Sequence, residues 1–178
     1  MRIVAGELRG RRLIGPRGDA TRPTTDKVRE AIFNALGSLD VIVGARVADL
    51  YAGSGALGFE AISRGAEFCT FVERDRAALS AIEENRAVLG VRDRTRVKSG
   101  DAVRMASTLD ADLVFADPPY GFDDWPALLA ALPDRVQLVV AEAAAEVPAP
   151  PGWVATRAKR YGRTWVTFLE RSAEHPGA

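Results

Sequence analysis

Residues 46–73, RVADLYAGSGALGFEAISRGAEFCTFVE, decide the fold. The stretch opens on a short apolar run, RVADLY, and closes on another, CTFVE; both read as strands buried on two faces. Between them Gly53, Gly55 and Gly58 match G-x-G-x-x-G, a spacing that lets the backbone turn tightly, approach a ligand and enter a helix. Strand, glycine turn, helix and strand form a unit whose strands run parallel, because the helix returns the chain over the sheet before the second strand begins.

The same alternation extends downstream. TRVKS (95–99), DLVFAD (112–117) and VQLVVAEA (136–143) are further short apolar runs, and helical stretches such as RDRAALSAIEENRAVLG (74–90) separate the strands. The implied architecture is a doubly wound α/β fold. GWVATRAKRYGRTWVTFLE (152–170) instead holds two strands about Tyr161-Gly162 with no helix between them. An antiparallel hairpin is therefore expected to close a mostly parallel, seven-stranded sheet. Upstream, RIVAGELRGRRLIGP (2–16) reads as a small Arg-crowded hairpin around Gly6 and Gly10. TTDKVREAIFNAL (24–36) reads as an amphipathic helix: Thr24 or Thr25 is the N-cap, Asp26 lies in the first turn, and Val28, Ala31, Ile32 and Ala35 recur at helical spacing.

With 178 residues, 47% of them apolar, the chain fits one domain: a basic hairpin and helix over 1–40, an α/β core over 41–171 and a flexible tail over 172–178. Cys69 is the only cysteine and His175 the only histidine. The single cysteine excludes an intrachain disulfide and a cysteine metal cluster; with His175 in the polar tail SAEHPGA, a histidine-based triad, a zinc site or any other metal is not expected. No run approaches the about 18 apolar residues of a membrane span, and the N-terminus lacks a signal-peptide pattern, so a soluble cytoplasmic protein is expected. The net charge of zero hides a pattern. Residues 1–30 carry 8 basic against 4 acidic side chains, residues 101–150 carry 2 against 9, and residues 151–178 carry 5 against 2. The two basic ends are expected to meet as one anion-binding face.

In an open α/β sheet, ligands bind beyond the carboxyl ends of the strands. The glycine turn lacks the Lys-Ser/Thr of a phosphate-cradling loop, which leaves a dinucleotide or another adenosine-bearing cofactor. Glu73 ends the second strand, where a carboxylate can take ribose hydroxyls. Asp101 follows the third strand. The fourth delivers Asp117-Pro118-Pro119-Tyr120 to the same edge, with two prolines that remove backbone donors and stiffen the chain.

Together these features resemble the class I S-adenosylmethionine-dependent methyltransferases, in which D/N-P-P-Y/F marks enzymes that methylate a nitrogen conjugated to a planar system. The resemblance gives the double proline a purpose. An amino group on a nucleobase is a poor nucleophile because its lone pair is delocalised. The Asp117 carboxylate and the Pro118 carbonyl, each accepting one N–H, would aim that lone pair at the methyl donor, and Tyr120 would stack on the extruded base. More closely, RIVAGELRGRRL, RPTTDKVREAIFNAL, DLYAGSGALGFEAISRGA, ADPPY and KRYGRTWVTFLE are similar to the RsmD family of bacterial ribosomal RNA methyltransferases, from Arg2 to about Glu170. Ala5 and Ala48 depart from that pattern, in which Gly and a larger aliphatic are common. The resemblance implies methylation of the exocyclic N2 of one guanine in 16S rRNA. With no separate target-recognition module, selection by RNA shape is expected, on free rRNA or a partly assembled small subunit, by a monomer with no membrane partner.

Roles then follow by position. Gly53, Ser54 and Gly55 would pass under the methionine part of S-adenosylmethionine, with Asp49 reaching its ammonium and Tyr51, Ala52 and Asp117 also among the cofactor-binding residues. A β-branched residue at Gly55 would take up the cofactor's space. Glu73, beside Arg74, would hold the ribose; Asp101 and Ala102 would flank the adenine; Arg22, Thr24 and Thr25 would fold over the cofactor carboxylate. Arg2, Arg9, Arg11, Arg12, Lys27, Arg160 and Arg163 are candidates for RNA phosphate contacts. Three other readings compete: a nucleotide-dependent dehydrogenase, which needs no Asp-Pro-Pro-Tyr; a non-catalytic RNA-binding module; and a DNA or protein amide-nitrogen methyltransferase of the same fold.

Overall fold

The computed structural model describes residues 1–16 and 26–173. Arg22, Thr24, Thr25 and His175 lie outside the described residues. The parallel part of the sheet comprises β1 (Arg46–Leu50), β2 (Phe68–Glu73), β3 (Thr95–Ser99), β4 (Leu113–Ala116) and β5 (Leu138–Ala143). The antiparallel hairpin of β6 (Trp153–Tyr161) and β7 (Thr164–Arg171) completes it, in the order β3-β2-β1-β4-β5-β7-β6. β1 pairs in parallel with β2 on one side and β4 on the other, so the crossovers reverse direction between β1 and β4. That reversal opens a crevice at the carboxyl edge.

Side-chain alternation divides the core between the two faces of the sheet. Val47, Cys69, Phe71, Leu113, Phe115, Leu138 and Val140 point to one face, where α1 (Asp26–Ser38), α2 (Ala56–Ser63) and α3 (Arg76–Leu89) pack. Ala48, Leu50, Val72, Val114, Ala116, Val139 and Ala141 point to the other, under α4 (Ala102–Met105) and α5 (Trp125–Ala131). The two-residue period of a strand makes this division. Two helix termini are set by residue chemistry: Asp75 caps α3 by accepting from the Ala78 N–H at 2.9 Å, and Gly90 ends it in a left-handed conformation.

The N-terminal hairpin takes a reduced form, with a single bridge pairing Arg2 and Arg12. Three further backbone bonds cross it, from Ile3 N–H to the Arg11 carbonyl at 3.0 Å, Gly10 N–H to the Ile3 carbonyl at 2.9 Å and Leu13 N–H to the Met1 carbonyl at 3.1 Å, while the donors between the strands go to α2: Val4 and Ala5 N–H to the Glu60 carboxylate at 2.8 and 3.0 Å, and Leu8 N–H to Ser63 Oγ at 2.9 Å. Glu60 is fully buried, bonds Arg64 Nε at 2.8 Å, and lies 3.5 Å from the guanidinium of the equally buried Arg29 on α1. A buried ionic cluster thus ties the hairpin, α1 and α2 together. Removing one member of such a cluster leaves an uncompensated charge in the interior.

The hairpin runs down the helical face. Met1 lies beside Ser54 near the glycine turn, whereas the tip bonds Ser63 at the end of α2 and, through Arg11 Nη2, the Val88 carbonyl near the end of α3. Both helices run against the strands, so this tip lies at the amino edge of the sheet. The Tyr161–Thr164 turn lies at the carboxyl edge, because β7 is antiparallel to β5 and Trp165 pairs with Ala143 at that strand's end. The two basic ends therefore meet only in part: Arg9 and Arg11 are at the amino edge of the sheet, and Arg160 and Arg163 at the carboxyl edge, where Lys27 of α1 also lies.

Candidate active site

Every strand from β1 to β4 delivers a carboxylate to the carboxyl edge or just beyond it, and each has a distinct environment. Asp49 is buried beneath the glycine turn and accepts the Gly58 N–H at 2.9 Å, which pins the start of α2. Burial pushes its carboxyl well above the usual carboxylate range; the Gly58 bond opposes this, and the charges of Asp117 and Glu73 add to it. Glu73 Oε2 accepts the Gly53 N–H at 2.9 Å, and its Oε1 accepts the Arg74 and Asp75 N–H groups at 2.7 and 2.9 Å. A carboxylate offers about four acceptor positions, so the strand-end backbone and the glycine turn take three and leave one. Asp101 caps α4 through the Arg104 N–H at 3.0 Å, and its other oxygen lies 4.0 Å from Arg74. Ala102, the first residue of α4, is buried.

The glycines have separate duties. Gly53 and Gly55 both have positive φ, 55° and 78°. A Cβ on Gly53 would meet nothing nearer than the Tyr51 carbonyl at 4.0 Å, so the turn keeps open space on that side. A Cβ on Gly55 would come within 2.6 Å of the Phe59 ring and 3.0 Å of Phe71, inside the core. At Gly58 it would come within 2.6 Å of Cys69 Sγ. This corrects the expectation for Gly55: a side chain there collides with α2 and β2, whereas the open space lies beside Gly53. Ser54 and Ala52 are buried under the turn, and Asn85 Nδ2 of α3 holds the Ser54 carbonyl at 3.0 Å.

Two clefts open at this edge, and the Asp-Pro-Pro-Tyr segment stands between them. The smaller, of about 440 Å³, is bounded by Tyr51, Arg74, Asp101, Val103 and Arg104 on one side and by Pro119 to Phe122 on the other. Tyr51 adopts a positive φ of 57° and packs edge-on against Phe122, which in turn meets Trp125. Burial, and then the nearby Asp101 charge, push the Tyr51 phenol up to about 12, so it stays neutral and able to donate. The larger cleft, of about 660 Å³, has Asp117, Pro118, Pro119 and Tyr120 on one wall. Lys27 and Val28 of α1 and Tyr161, Gly162 and Thr164 of the hairpin turn form the opposite side.

Tyr120, Pro119 and Phe122 border both clefts, and Tyr120 is 63% exposed. The Pro119 carbonyl accepts the Phe122 N–H at 3.2 Å and closes a turn under Tyr120. The Pro118 carbonyl accepts no hydrogen bond from the described residues. Glu142, on β5 next to β4, was not anticipated from the sequence; it is 3% exposed and borders the larger cleft. Its only signal in the sequence is an acidic residue inside the apolar run VQLVVAEA. The other predicted residues scatter: Lys27 borders the larger cleft, Arg160 Nε bonds the Gly162 carbonyl at 2.8 Å beside it, and Arg2 Nη1 bonds the Gly10 carbonyl at 2.8 Å in the N-terminal hairpin. Arg12 and Arg163 are exposed. Among the described residues no group of three His, Cys, Asp or Glu side chains could hold a metal, and no helix is long and apolar enough to cross a membrane.

Residues 1–170 match the family described as "Conserved hypothetical protein 95". The Bacillus subtilis (strain 168) protein named "Putative rRNA methyltransferase YlbH" is 39% identical over 184 residues, spanning 96% of this chain and 99% of its own. The Escherichia coli (strain K12) "Ribosomal RNA small subunit methyltransferase D" is 43% identical over 122 residues, 67% of this chain and 60% of its own length. Among solved structures, "Putative methyltransferase yhhF from Escherichia coli" is similar with a TM-score of 0.83 at 35% identity, over 98% of this chain and 99% of that one. A precorrin-6y C5,15-methyltransferase from Geobacter metallireducens, 18% identical with a TM-score of 0.61 over 84% of this chain and 90% of that one, shares the fold alone.

Proposed function

The chain belongs to the RsmD family and has a class I methyltransferase fold, and from that premise we propose that it transfers a methyl group from S-adenosylmethionine to the exocyclic N2 of a guanine in 16S rRNA. The observation that carries this reading is the division of the carboxyl edge into two clefts by Asp117 to Tyr120. A two-substrate transfer needs such a wall: one ligand on each side, meeting at a rigid point.

The smaller cleft fits an adenosine-bearing cofactor. Tyr51, Phe122 and Val103 supply apolar and aromatic surface for a planar ring, and Arg74 and Asp101 border it with charge. Glu73, with one acceptor position left, would take a ribose hydroxyl. The open side of Gly53 would admit the cofactor's main chain. Asp49, Glu73 and Asp117 would give the edge a negative character that suits a sulfonium and an ammonium. S-adenosylmethionine supplies a methyl group already activated by its sulfonium.

Residues of this chain do the rest. In the larger cleft the Asp117 carboxylate and the Pro118 carbonyl would accept the two N–H bonds of the amino group. That holds the nitrogen at a fixed point and stabilises the positive charge that develops on it as the N–CH3 bond forms and the sulfonium C–S bond breaks to leave S-adenosylhomocysteine; the nitrogen then gives up one proton to the Asp117 carboxylate or to water. The rigid prolines keep both acceptors aimed, and Tyr120 offers an exposed ring face to the base. Lys27 borders the cleft, Arg160 and Arg163 flank the Tyr161–Gly162 turn on its other side, and the three would contact flanking phosphates.

The test is transfer of labelled methyl to naked 16S rRNA, partly assembled small subunits, mature subunits and duplex DNA in parallel, with the product nucleoside identified. N2-methylguanosine from one or more of the RNA forms is the expected result. A methylated adenine or cytosine, or transfer to DNA alone, would contradict it.

A further inference from the structure

Glu142 has no part in the clamp on the amino group, yet it sits beside that clamp. Ala116 of β4 pairs with Ala141 of β5 in parallel register, and the next residues along each strand are Asp117 and Glu142. Asp117 and Glu142 lie two residues beyond Phe115 and Val140, whose side chains face the α1 side of the sheet, so both point the same way. Neighbouring strands lie about 4.8 Å apart. Both residues border the larger cleft, and Glu142 is 3% exposed.

Guanine presents its 2-amino group and its N1–H next to each other on one edge. Adenine has a bare acceptor at N1 and cytosine one at N3. A carboxylate one strand away from the amino-group clamp matches a donor at N1 and repels an acceptor there. We propose that Glu142 is the residue that selects guanine, by accepting its N1–H while Asp117 and the Pro118 carbonyl hold the 2-amino group. This rests on the guanine-N2 reading of the site. A cleft that offers an acceptor to N1 disfavours the analogue that lacks the donor, because the carboxylate oxygen then faces the lone pair of a bare nitrogen.

2-Aminopurine separates the two contacts, since it keeps the 2-amino group but has a bare N1 in place of N1–H and no carbonyl at C6. Single-turnover methyl transfer would be measured on two 16S RNAs that differ only in guanine or 2-aminopurine at the modified position. Wild type is expected to prefer guanine by at least tenfold. Glu142→Gln keeps the shape, and its amide can turn to donate or to accept. It is expected to shrink the guanine preference at least tenfold, with faster transfer to 2-aminopurine than wild type shows. A purely structural role would slow both RNAs alike and leave the ratio unchanged. Equal rates in wild type, or an unchanged ratio in Glu142→Gln, would overturn the proposal while N2-methylguanosine formation stood. Wild type that makes no N2-methylguanosine would overturn the function reading and this inference together.

Discussion

Each loop glycine does one job, and substitutions can tell the jobs apart. Gly53→Ala adds a methyl group to open space at a left-handed φ that Tyr51 also tolerates. It is expected to weaken S-adenosylmethionine binding by calorimetry and, since left-handed backbone strain is its only cost to folding, to lower the melting temperature less than Gly55→Ala does. Gly55→Ala drives the same methyl group into Phe59 and Phe71 and is expected to cost stability instead, about 1–3 kcal/mol from overpacking. A thermal shift larger for Gly53→Ala than for Gly55→Ala would reverse these assignments. Asp49 makes a pH statement. Its folded pKa is raised above the unfolded value, so the native state binds the extra proton between the two, and this group's contribution to stability falls as pH rises through that window. A cationic ligand favours the ionised form. S-adenosylmethionine binding is therefore expected to release protons within the window, read as a dependence of binding heat on buffer ionisation enthalpy. Asp49→Asn should abolish the release, and a wild type with no buffer dependence would remove Asp49 from the charge balance.

At the scale of elements, the strands were legible because each is a short apolar run ended by a polar residue, and β1 to β5 follow those runs closely. α4 and α5 were not individually legible: α4 has four residues and α5 seven, too few turns for a helical period to register. The hairpin's dependence on α2 was also hidden, because it rests on Glu60, a charge in the middle of a helix that a periodicity argument assigns to the surface. Glu60→Ala would leave the buried Arg29 guanidinium with only the Asp26 carboxylate and the Arg2 carbonyl as partners, and would release the Val4 and Ala5 N–H groups and Arg64. The expected loss is about 3–5 kcal/mol in chemical denaturation. A loss below about 1 kcal/mol would mean that the cluster is satisfied in some other way. Gly6, at φ 84°, packs directly on the Ser63 carbonyl, so Gly6→Ala should detach the hairpin tip and speed amide exchange at Glu7 and Leu8. Unchanged exchange there would refute it.

For the whole molecule, the candidate site was legible as a set of motifs because an open α/β sheet brings the ends of β1 to β4 to one edge whatever lies between them. Glu142 escaped because register across β4 and β5, not spacing along the chain, brings it next to Asp117. The hairpin tip with Arg9 and Arg11 was misjudged for a related reason: charge counted along a chain says nothing about which edge a hairpin tip reaches. Salt dependence of RNA binding can sort the arginines. Arg2→Ala, Arg12→Ala, Arg160→Ala and Arg163→Ala combined should make the slope shallower by about one unit for each phosphate deprived of its arginine. Arg9→Ala with Arg11→Ala should leave it unchanged, and a shallower slope in that pair would extend the RNA onto the amino edge. The central claim is that Asp117 to Tyr120 separates a cofactor cleft from an acceptor cleft and serves the second. Asp117→Ala tests it most directly, with S-adenosylmethionine affinity and methyl transfer to 16S rRNA measured on the same protein. Transfer is expected to fall about 10²-fold or more while cofactor affinity holds; near wild-type turnover, or loss of cofactor binding in step with loss of rate, would contradict it.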